Sequence, residues 1–332
     1  MKKVFLALFV MLMMVSCNKF KINVNLENSD GKTVYLERFV GTEMSILDSV
    51  VAKDNTAVFK VKPSDNLDPY CVMIKGWRRP LTFFADNQDV TITGDYQKYN
   101  GINVLASESQ EKLNKFTEEV NGIEDEQEIH YCVLDFVKQN IDNPLAPYVM
   151  YRYKWTFSLS DFYKLMEVIP AEMNSAYKDL VMDYVNGLEM TEVGKPFIPF
   201  IQKDVNGEDF NMKEIIGESK IIILDFWASW CPDCRKENPG LVEIYNEFKD
   251  KGLDIVSVSL DMDEAAWKKA IEDDNLTWKH HVSDLKGWNN EVAKMYCIAY
   301  IPQNILIDEN GIIVKKNVPA ERMKEFLGSF LK

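Results

Sequence analysis

Positive charge is scarce in this chain of 332 residues, in which 38 Lys and Arg stand against 52 Asp and Glu and give a formal net charge of −14. A protein that binds nucleic acid needs basic residues to neutralise the phosphates, so we expect no nucleic acid partner. The composition is otherwise ordinary, with 46% hydrophobic and 27% charged residues. It predicts globular domains, and the length allows two or three of them.

Long apolar runs are also lacking, because the run from Val4 to Val15 is too short to cross a bilayer comfortably. It follows two lysines and precedes a cysteine, which is typical of an export signal. The segment "MVSC" at residues 14–17 resembles the lipobox of bacterial lipoproteins, in which the cysteine is acylated and becomes the new N-terminus. A plain secretory peptide is the alternative. Both predict an exported protein, and a lipidated Cys17 would hold it at a membrane surface.

Cysteine and histidine are too few for a disulfide-stapled or typical zinc-binding domain. Besides Cys17, the cysteines are Cys71, Cys132, Cys231, Cys234 and Cys297. One close pair stands out among them, and no second such pair is present to complete a zinc site. Two of the three histidines, His280 and His281, are adjacent and lie in a predicted loop. We therefore expect no metal.

The chain divides into three regions behind the signal peptide of residues 1–17. Residues 18–103 predict an antiparallel β-rich domain, because short apolar runs such as Ile22, Val24 and Leu26 alternate with polar residues between turns. Further predicted strands contain Val34 and Leu36, Val58 and Val61, and residues 71–74, 81–84 and 90–93.

Residues 104–190 have helical periodicity and predict a connecting region. Three groups of apolar residues share helix faces: Leu113, Phe116 and Val120; Leu134, Val137 and Ile141; Phe162, Leu165 and Met166. Asn143-Pro144 and Ser160 are the predicted helix starts.

Residues 191–332 alternate strand and helix and predict an α/β domain with a mixed central sheet flanked by helices. The run from Ile221 to Phe226 is apolar apart from Asp225, as expected of a central strand buried on both faces. Helices are predicted at about 233–249, 264–274 and 289–296 and at the C-terminus, and strands at 255–260, 304–307 and 312–316.

The stretch "DFWASWCPDC" at 225–234 places Cys231 where this strand ends and a helix begins. Free backbone N–H groups and the helix dipole favour a thiolate there, and Pro232 suits the first helical position. Cys234 follows one turn later, within reach of a disulfide. A reversible dithiol is the favoured interpretation. A metal half-site and a purely structural disulfide are the alternatives, and so small a loop would stabilise the fold little.

These residues resemble a known family. The stretch "KIIILDFWASWCPDC" at 220–234 is similar to the strand, Trp-Cys-x-x-Cys turn and helix start of the thioredoxin superfamily. The segments "RKENP" at 235–239 and "YIPQNILID" at 300–308 narrow the resemblance to the TlpA/ResA-like, AhpC/TSA-related thiol-disulfide oxidoreductases. The resemblance covers about residues 191–332. The front half resembles the Bacteroidetes-type N-terminal β-rich domain (DUF4369-like).

The resemblance implies roles for the dithiol and for the segment near Pro302. Cys231 would be the attacking thiol and Cys234 the resolving thiol. Pro302 would be the family's cis-proline, which leaves the backbone of Ile301 free to pair with a substrate chain.

The same resemblance implies roles for three side chains around the dithiol. Asp225 matches a buried acid that exchanges a proton with Cys234, and burial should raise its pKa. Glu237 matches a glutamate that follows the dithiol, with a solvated helix residue as the alternative. Trp230 would form an apolar rim for the substrate, unless it only contributes to packing.

The sequence therefore predicts an exported, lipid-anchored thiol-disulfide oxidoreductase without a cofactor. By resemblance, it would reduce protein disulfides, with apocytochrome c as one candidate, and take electrons from a membrane thiol carrier. One alternative is a thiol peroxidase. Such enzymes bind peroxide with a threonine at the position where this chain has Ala228, which argues against this alternative. The other is a non-enzymatic binding lipoprotein with a vestigial dithiol. The segment "KGWRRP" at 75–80 predicts either a partner-docking patch or an exposed turn.

Overall fold

The computed structural model describes residues 19–41 and 43–331, so Cys17 and the export signal lie outside the described residues. The chain forms two compact units. The first contains the residues up to Tyr148 together with Pro170–Tyr177, and the second contains Val149–Ile169 and the residues from Lys178 onwards. The domain borders placed after residues 103 and 190 stay predictions.

The first unit contains two four-stranded sheets. Its strands are β1 Phe20–Glu27, β2 Thr33–Val40, β3 Glu43–Val51, β4 Thr56–Val61, β5 Tyr70–Ile74, β6 Leu81–Phe83, β7 Val90–Asp95 and β8 Asn103–Leu105. The strand orders are β4-β1-β7-β8 and β3-β2-β5-β6. Strands β1 and β7 pair in parallel, and the other strand neighbours in these sheets pair antiparallel.

The two sheets share one hydrophobic core, as in a sandwich. Ile22 and Phe59 of the first sheet belong to the same buried cluster as Leu36 and Val72 of the second. The alternation predicted in β1 is confirmed, because every second residue of that strand is buried. In β4, Phe59 lies on the buried face, since it is fully buried while its neighbour Val58 is 38% exposed.

Five longer helices follow: α1 Glu108–Asn121, α2 Glu126–Gln139, α3 Leu145–Arg152, α4 Leu159–Val168 and α5 Ala176–Met190. Apolar residues of the predicted faces are buried, including Phe116, Val137 and Phe162. Helix α4 does not begin at Ser160 as predicted. Its N-cap is Ser158, whose hydroxyl and backbone N–H form a reciprocal capping box with Asp161.

The second unit is built on a five-stranded mixed sheet. After α5, its strands and helices are β9 Ile201–Lys203, β10 Asp209–Asn211, α6 Met212–Ile215, β11 Ile221–Trp227, α7 Pro232–Phe248, β12 Leu253–Ser259, α8 Glu264–Asp273, β13 His280–Val282, α9 Glu291–Met295, β14 Gln303–Asp308, β15 Ile313–Lys316 and α10 Ala320–Phe330. The sheet order is β13-β12-β11-β14-β15, and β9 pairs with β10 in a separate hairpin.

The central strand of this sheet leads to the dithiol. All seven residues of β11 are buried, which confirms the predicted central strand. It pairs in parallel with β12 and antiparallel with β14, so the sheet is mixed as predicted. The predicted loop at His280 and His281 is wrong, because these residues form β13 beside β12. None of the described helices is both long and apolar enough to cross a bilayer.

Candidate active site

The two cysteines of the close pair meet at the start of α7. Cys231 is the N-cap residue of this helix, and its Sγ accepts a hydrogen bond from the backbone N–H of Cys234 at 3.1 Å. The two sulfur atoms form a disulfide. Only 5% of Cys231 and 1% of Cys234 are exposed. The helix N-terminus thus directs a donor at the sulfur where a thiolate would form, and Cys234 is shielded behind it.

The segment before β14 lies against this sulfur. The peptide bond between Ile301 and Pro302 is cis, as the resemblance implied. The carbonyl oxygen of Ile301 is 3.8 Å from Cys231 Sγ. Gln303 holds the segment on both sides, since its Oε1 accepts the N–H of Ala299 at 3.1 Å and its Nε2 donates to Asn317 at 3.0 Å.

Asp225 lies on β11 and is 4% exposed. Burial raises its pKa from 3.8 to about 7, a hydrogen bond from Ser257 opposes this rise, and the charge of Glu237 adds to it. The Ser257 hydroxyl donates to Asp225 Oδ2 at 3.0 Å and accepts from Nε1 of Trp278 at 3.0 Å. A buried carboxyl with a pKa near neutrality can gain or lose a proton under ordinary conditions.

Glu237 lies on the exposed surface of α7. Partial desolvation raises the pKa of its carboxyl, and the charge of Asp233 raises it further. Because Glu237 and Asp225 influence each other electrostatically, the structure brings both predicted acids into the neighbourhood of the dithiol helix.

Trp230 precedes the dithiol and presents an apolar surface beside it. The side chain is 51% exposed, and its ring lies 6.2 Å from that of Trp288. Its Nε1 donates to the carbonyl of Leu260 at 3.3 Å, which holds the indole in place. Trp227, by contrast, is fully buried and belongs to the core.

Comparison with known proteins identifies the family. A profile of the AhpC/TSA family matches residues 193–316, and a domain of unknown function, DUF4369, matches residues 20–113. The thiol-disulfide oxidoreductase ResA of Bacillus cereus is 31% identical over 153 residues, which cover 46% of this chain and 84% of that protein. The chain belongs to the ResA-type thiol-disulfide oxidoreductases.

Other matches cover a similar share of this oxidoreductase. The sporulation thiol-disulfide oxidoreductase A of Bacillus subtilis is 32% identical over 148 residues, with 42% of this chain and 86% of that protein covered. A solved thioredoxin domain of a thiol-disulfide oxidoreductase from Bacteroides vulgatus is 35% identical, with a TM-score of 0.40 and with 42% of this chain and 99% of that chain covered.

The sequence did not reveal the residues that anchor the dithiol turn of this oxidoreductase. Asp261 is 1% exposed and accepts three hydrogen bonds. The N–H and hydroxyl of Ser229 donate to it at 2.9 and 2.5 Å, and the Ser259 hydroxyl donates at 2.7 Å. The buried carboxylate thus fixes the backbone two residues before Cys231. Serines at alternate positions of the apolar strand β12, at 257 and 259, were the available signal.

Arg235 ties the first turn of α7 to the same segment. Its NH1 donates to the carbonyl of Ser229 at 3.2 Å, and its Nε and NH2 form a two-pronged pair with Asp274. Asn238 donates to Asp274 at 2.6 Å. A planar fork of this kind holds its partners in one geometry, so the helix start and the turn before it form one rigid assembly.

The remaining described cysteines of the oxidoreductase take part in no disulfide: Cys71, Cys132 and Cys297. Burial raises the pKa of Cys132 and of Cys297 to about 11, which keeps both protonated near neutral pH. A protonated thiol is a poor nucleophile, so the structure favours the interpretation of Cys297 as a partly buried apolar residue. Within residues 19–41 and 43–331, no group of three or more His, Cys, Asp or Glu could hold a metal ion.

Proposed function

We propose that this oxidoreductase is an exported, membrane-tethered reductase of protein disulfides that acts through the dithiol of Cys231 and Cys234. The observation that carries the proposal is the position of Cys231. It caps a helix N-terminus and faces the carbonyl of Ile301, so an attacking sulfur and a backbone segment for the substrate lie side by side.

The reaction starts from the reduced protein. The Cys231 thiolate attacks one sulfur of the partner disulfide, and the other partner sulfur leaves as a thiolate. The Cys234 thiolate then attacks Cys231 Sγ in the mixed disulfide and releases the partner's second thiolate. The partner gains two electrons and, after protonation, two protons, while the Cys231–Cys234 disulfide forms. The deeper burial of Cys234, which is 1% exposed against 5% for Cys231, supports this order.

Asp225 is the proposed proton acceptor for Cys234. Its burial in β11, the strand that leads to the dithiol, and its pKa of about 7 support this role, since the group can take the thiol proton and release it again near neutral pH. Glu237 is the proposed second acid and would pass that proton to solvent from its exposed position. Its raised pKa supports the role.

The substrate is proposed to lie between Trp230 and Ile301. The half-exposed indole offers an apolar surface, and the backbone before the cis-proline Pro302 offers a segment for pairing with a substrate chain. Apocytochrome c is proposed as one substrate, by analogy with the ResA-like family.

Anchoring through a lipidated Cys17 and reduction by a membrane thiol carrier are part of the same proposal. They rest on the lipobox-like "MVSC" at residues 14–17 and on the family resemblance. Treatment of cells with a labelled fatty acid tests the anchor: label in the wild type and none in Cys17→Ser is the expected result.

The reduction potential of the Cys231–Cys234 couple tests the redox proposal. We expect a value at or below about −250 mV after equilibration with dithiothreitol or glutathione, as for thioredoxin. A value near about −120 mV would identify an oxidant instead. If no reversible couple is found, the binding-lipoprotein alternative replaces the proposal.

Trapping separates the two thiols. Cys234→Ser should accumulate a mixed disulfide with a disulfide-bearing protein, and Cys231→Ser should form none. Cys297→Ser is the matched control and should behave as the wild type.

The peroxidase alternative predicts that the protein reduces hydrogen peroxide faster than it reduces protein disulfides. The buried Ala228, which stands in the position of the peroxidase threonine, argues against this alternative.

A further inference from the structure

A cavity in the first unit takes no part in the redox chemistry. The turn between β5 and β6, with the segment "KGWRRP" at 75–80, and the segment after β7 line a space of about 460 Å³. Three aromatic side chains, two arginines, two amides and one glycine line it. Aromatic surface combined with a few polar groups is typical of a small-molecule site, and the volume lies in the usual range.

The aromatic rings are fixed by hydrogen bonds between the two segments. Trp77 Nε1 donates to the carbonyl of Tyr96 at 3.0 Å, and the Tyr96 hydroxyl donates to the carbonyl of Lys75 at 2.8 Å. The hydroxyl of Tyr99 donates to the carbonyl of Pro80 at 2.8 Å. The cavity walls are therefore built before any ligand arrives.

Gly76 shows how closely the two segments approach. Its φ is +111°, and a Cβ atom built on it would overlap the Tyr96 hydroxyl oxygen. The turn thus depends on glycine at this position, both for its backbone angle and for the space that the tyrosine occupies.

The charge of the cavity is opposite to that of the chain. Arg78 and Arg79 are both exposed, and the residues that line this cavity in the described part of the chain include no carboxylate. The guanidinium of Arg79 lies 4.8 Å above the Tyr99 ring and 3.4 Å from Asn100 Oδ1. The chain as a whole has a net charge of −14, yet among the described residues this aromatic cavity is lined by two arginines and by no acid. A guanidinium group can donate two parallel hydrogen bonds to a carboxylate or a phosphate.

We propose that this cavity binds an acidic saccharide. A sugar ring has an apolar face for Trp77, and its hydroxyls need both donors and acceptors, which Gln97 and Asn100 supply. Its acid group pairs with Arg78 and Arg79. The site is independent of the dithiol, so its failure would leave the proposed reductase untouched.

Ligand-detected NMR and calorimetry on the full chain at 150 mM NaCl test the site, with D-glucuronate, D-glucose and acetate as probes. We expect glucuronate to bind at least tenfold more tightly than either glucose or acetate, because only glucuronate has both the ring and the charge. The double variant Arg78→Gln/Arg79→Gln should weaken glucuronate binding at least tenfold. Arg152→Gln, at an exposed arginine of the other unit, should leave it unchanged.

Four outcomes would overturn the proposal. If glucose bound as tightly as glucuronate, the site would not recognise the carboxylate. If acetate bound as tightly as glucuronate, the site would not recognise the sugar ring. Unchanged glucuronate binding in the double variant would place the sugar elsewhere. No binding at about 10 mM would exclude the millimolar affinity expected of a single sugar. An unchanged thermal unfolding curve followed by circular dichroism verifies that both units are folded in each variant.

Discussion

Replacement of Asp225 by Asn should change how the stability of the second unit depends on pH. Below pH 3.8 the carboxyl is protonated in both states and costs nothing. Between pH 3.8 and about 7 the unfolded chain releases the proton while the folded protein keeps it, so the free energy of unfolding falls by about 1.4 kcal/mol per pH unit. Above pH 7 the penalty stays constant at about 4 kcal/mol.

The amide side chain of the Asp225→Asn variant carries no such penalty. Its extra N–H group costs a fixed amount of about 1–3 kcal/mol in a buried site, and that cost does not vary with pH. We therefore expect the stability of Asp225→Asn relative to the wild type to rise by about 2 kcal/mol between pH 5.5 and 8.5. The test is how the stability difference between the two proteins changes with pH, and not the size of that difference at any one pH.

Urea unfolding of the oxidised protein, followed by tryptophan fluorescence, measures this difference. Six of the seven tryptophans, all except Trp77, belong to the second unit, so the signal reports mainly on the unit that contains Asp225. Ile223→Val in the same buried strand changes no titratable group and should show a difference that does not vary with pH. A pH-independent difference for Asp225→Asn as well would refute the argument that burial holds its pKa near 7.

Three further changes probe contacts of the second unit by the same unfolding assay. Asp261→Asn should cost about 2 kcal/mol, because one of its three buried donors loses its acceptor. Ser158→Ala should cost about 1 kcal/mol through loss of the helix cap, whereas Ser160→Ala should stay within about 0.5 kcal/mol. Gly187→Ala places a Cβ in steric overlap with Cys297 Sγ and should cost about 1–3 kcal/mol, most of which Cys297→Ala recovers.

For each of these three predictions, one experimental result would contradict it. Asp263→Asn is the control for Asp261, because asparagine caps helix α8 as well as aspartate does. Equal effects at 261 and 263 would argue against the anchoring of the dithiol turn. Equal effects at Ser158 and Ser160 would argue against the observed cap. A double variant at 187 and 297 that is no more stable than the single one would show that the sulfur is not what the new methyl group meets.

The sequence by itself determined the features that local patterns encode. An apolar run broken only by Asp225 specifies a central strand, and a proline after Cys231 suits the start of a helix, so local pattern alone places the dithiol at the end of β11. The cis-proline at 302 and the buried acid at 225 came from the resemblance to the thioredoxin superfamily, which rests on the segments around them.

Features that depend on neighbours distant in the chain could not be predicted. Strand β3 is exposed along most of its length, so it has no alternation to detect, and β13 has only three residues. The identity of β4's buried face depended on how it pairs with β1.

The details of the site were decided by strand register in the same way. Ser257 reaches Asp225 because the parallel pairing of β11 and β12 places the two residues opposite each other, 32 positions apart in the chain. Asp261 meets Ser229 at the same separation through the ends of those strands. The sequence determined which residues carry the chemistry, and the tertiary structure decided which side chains hold them, because hydrogen bonds between segments exist only once the sheet has formed.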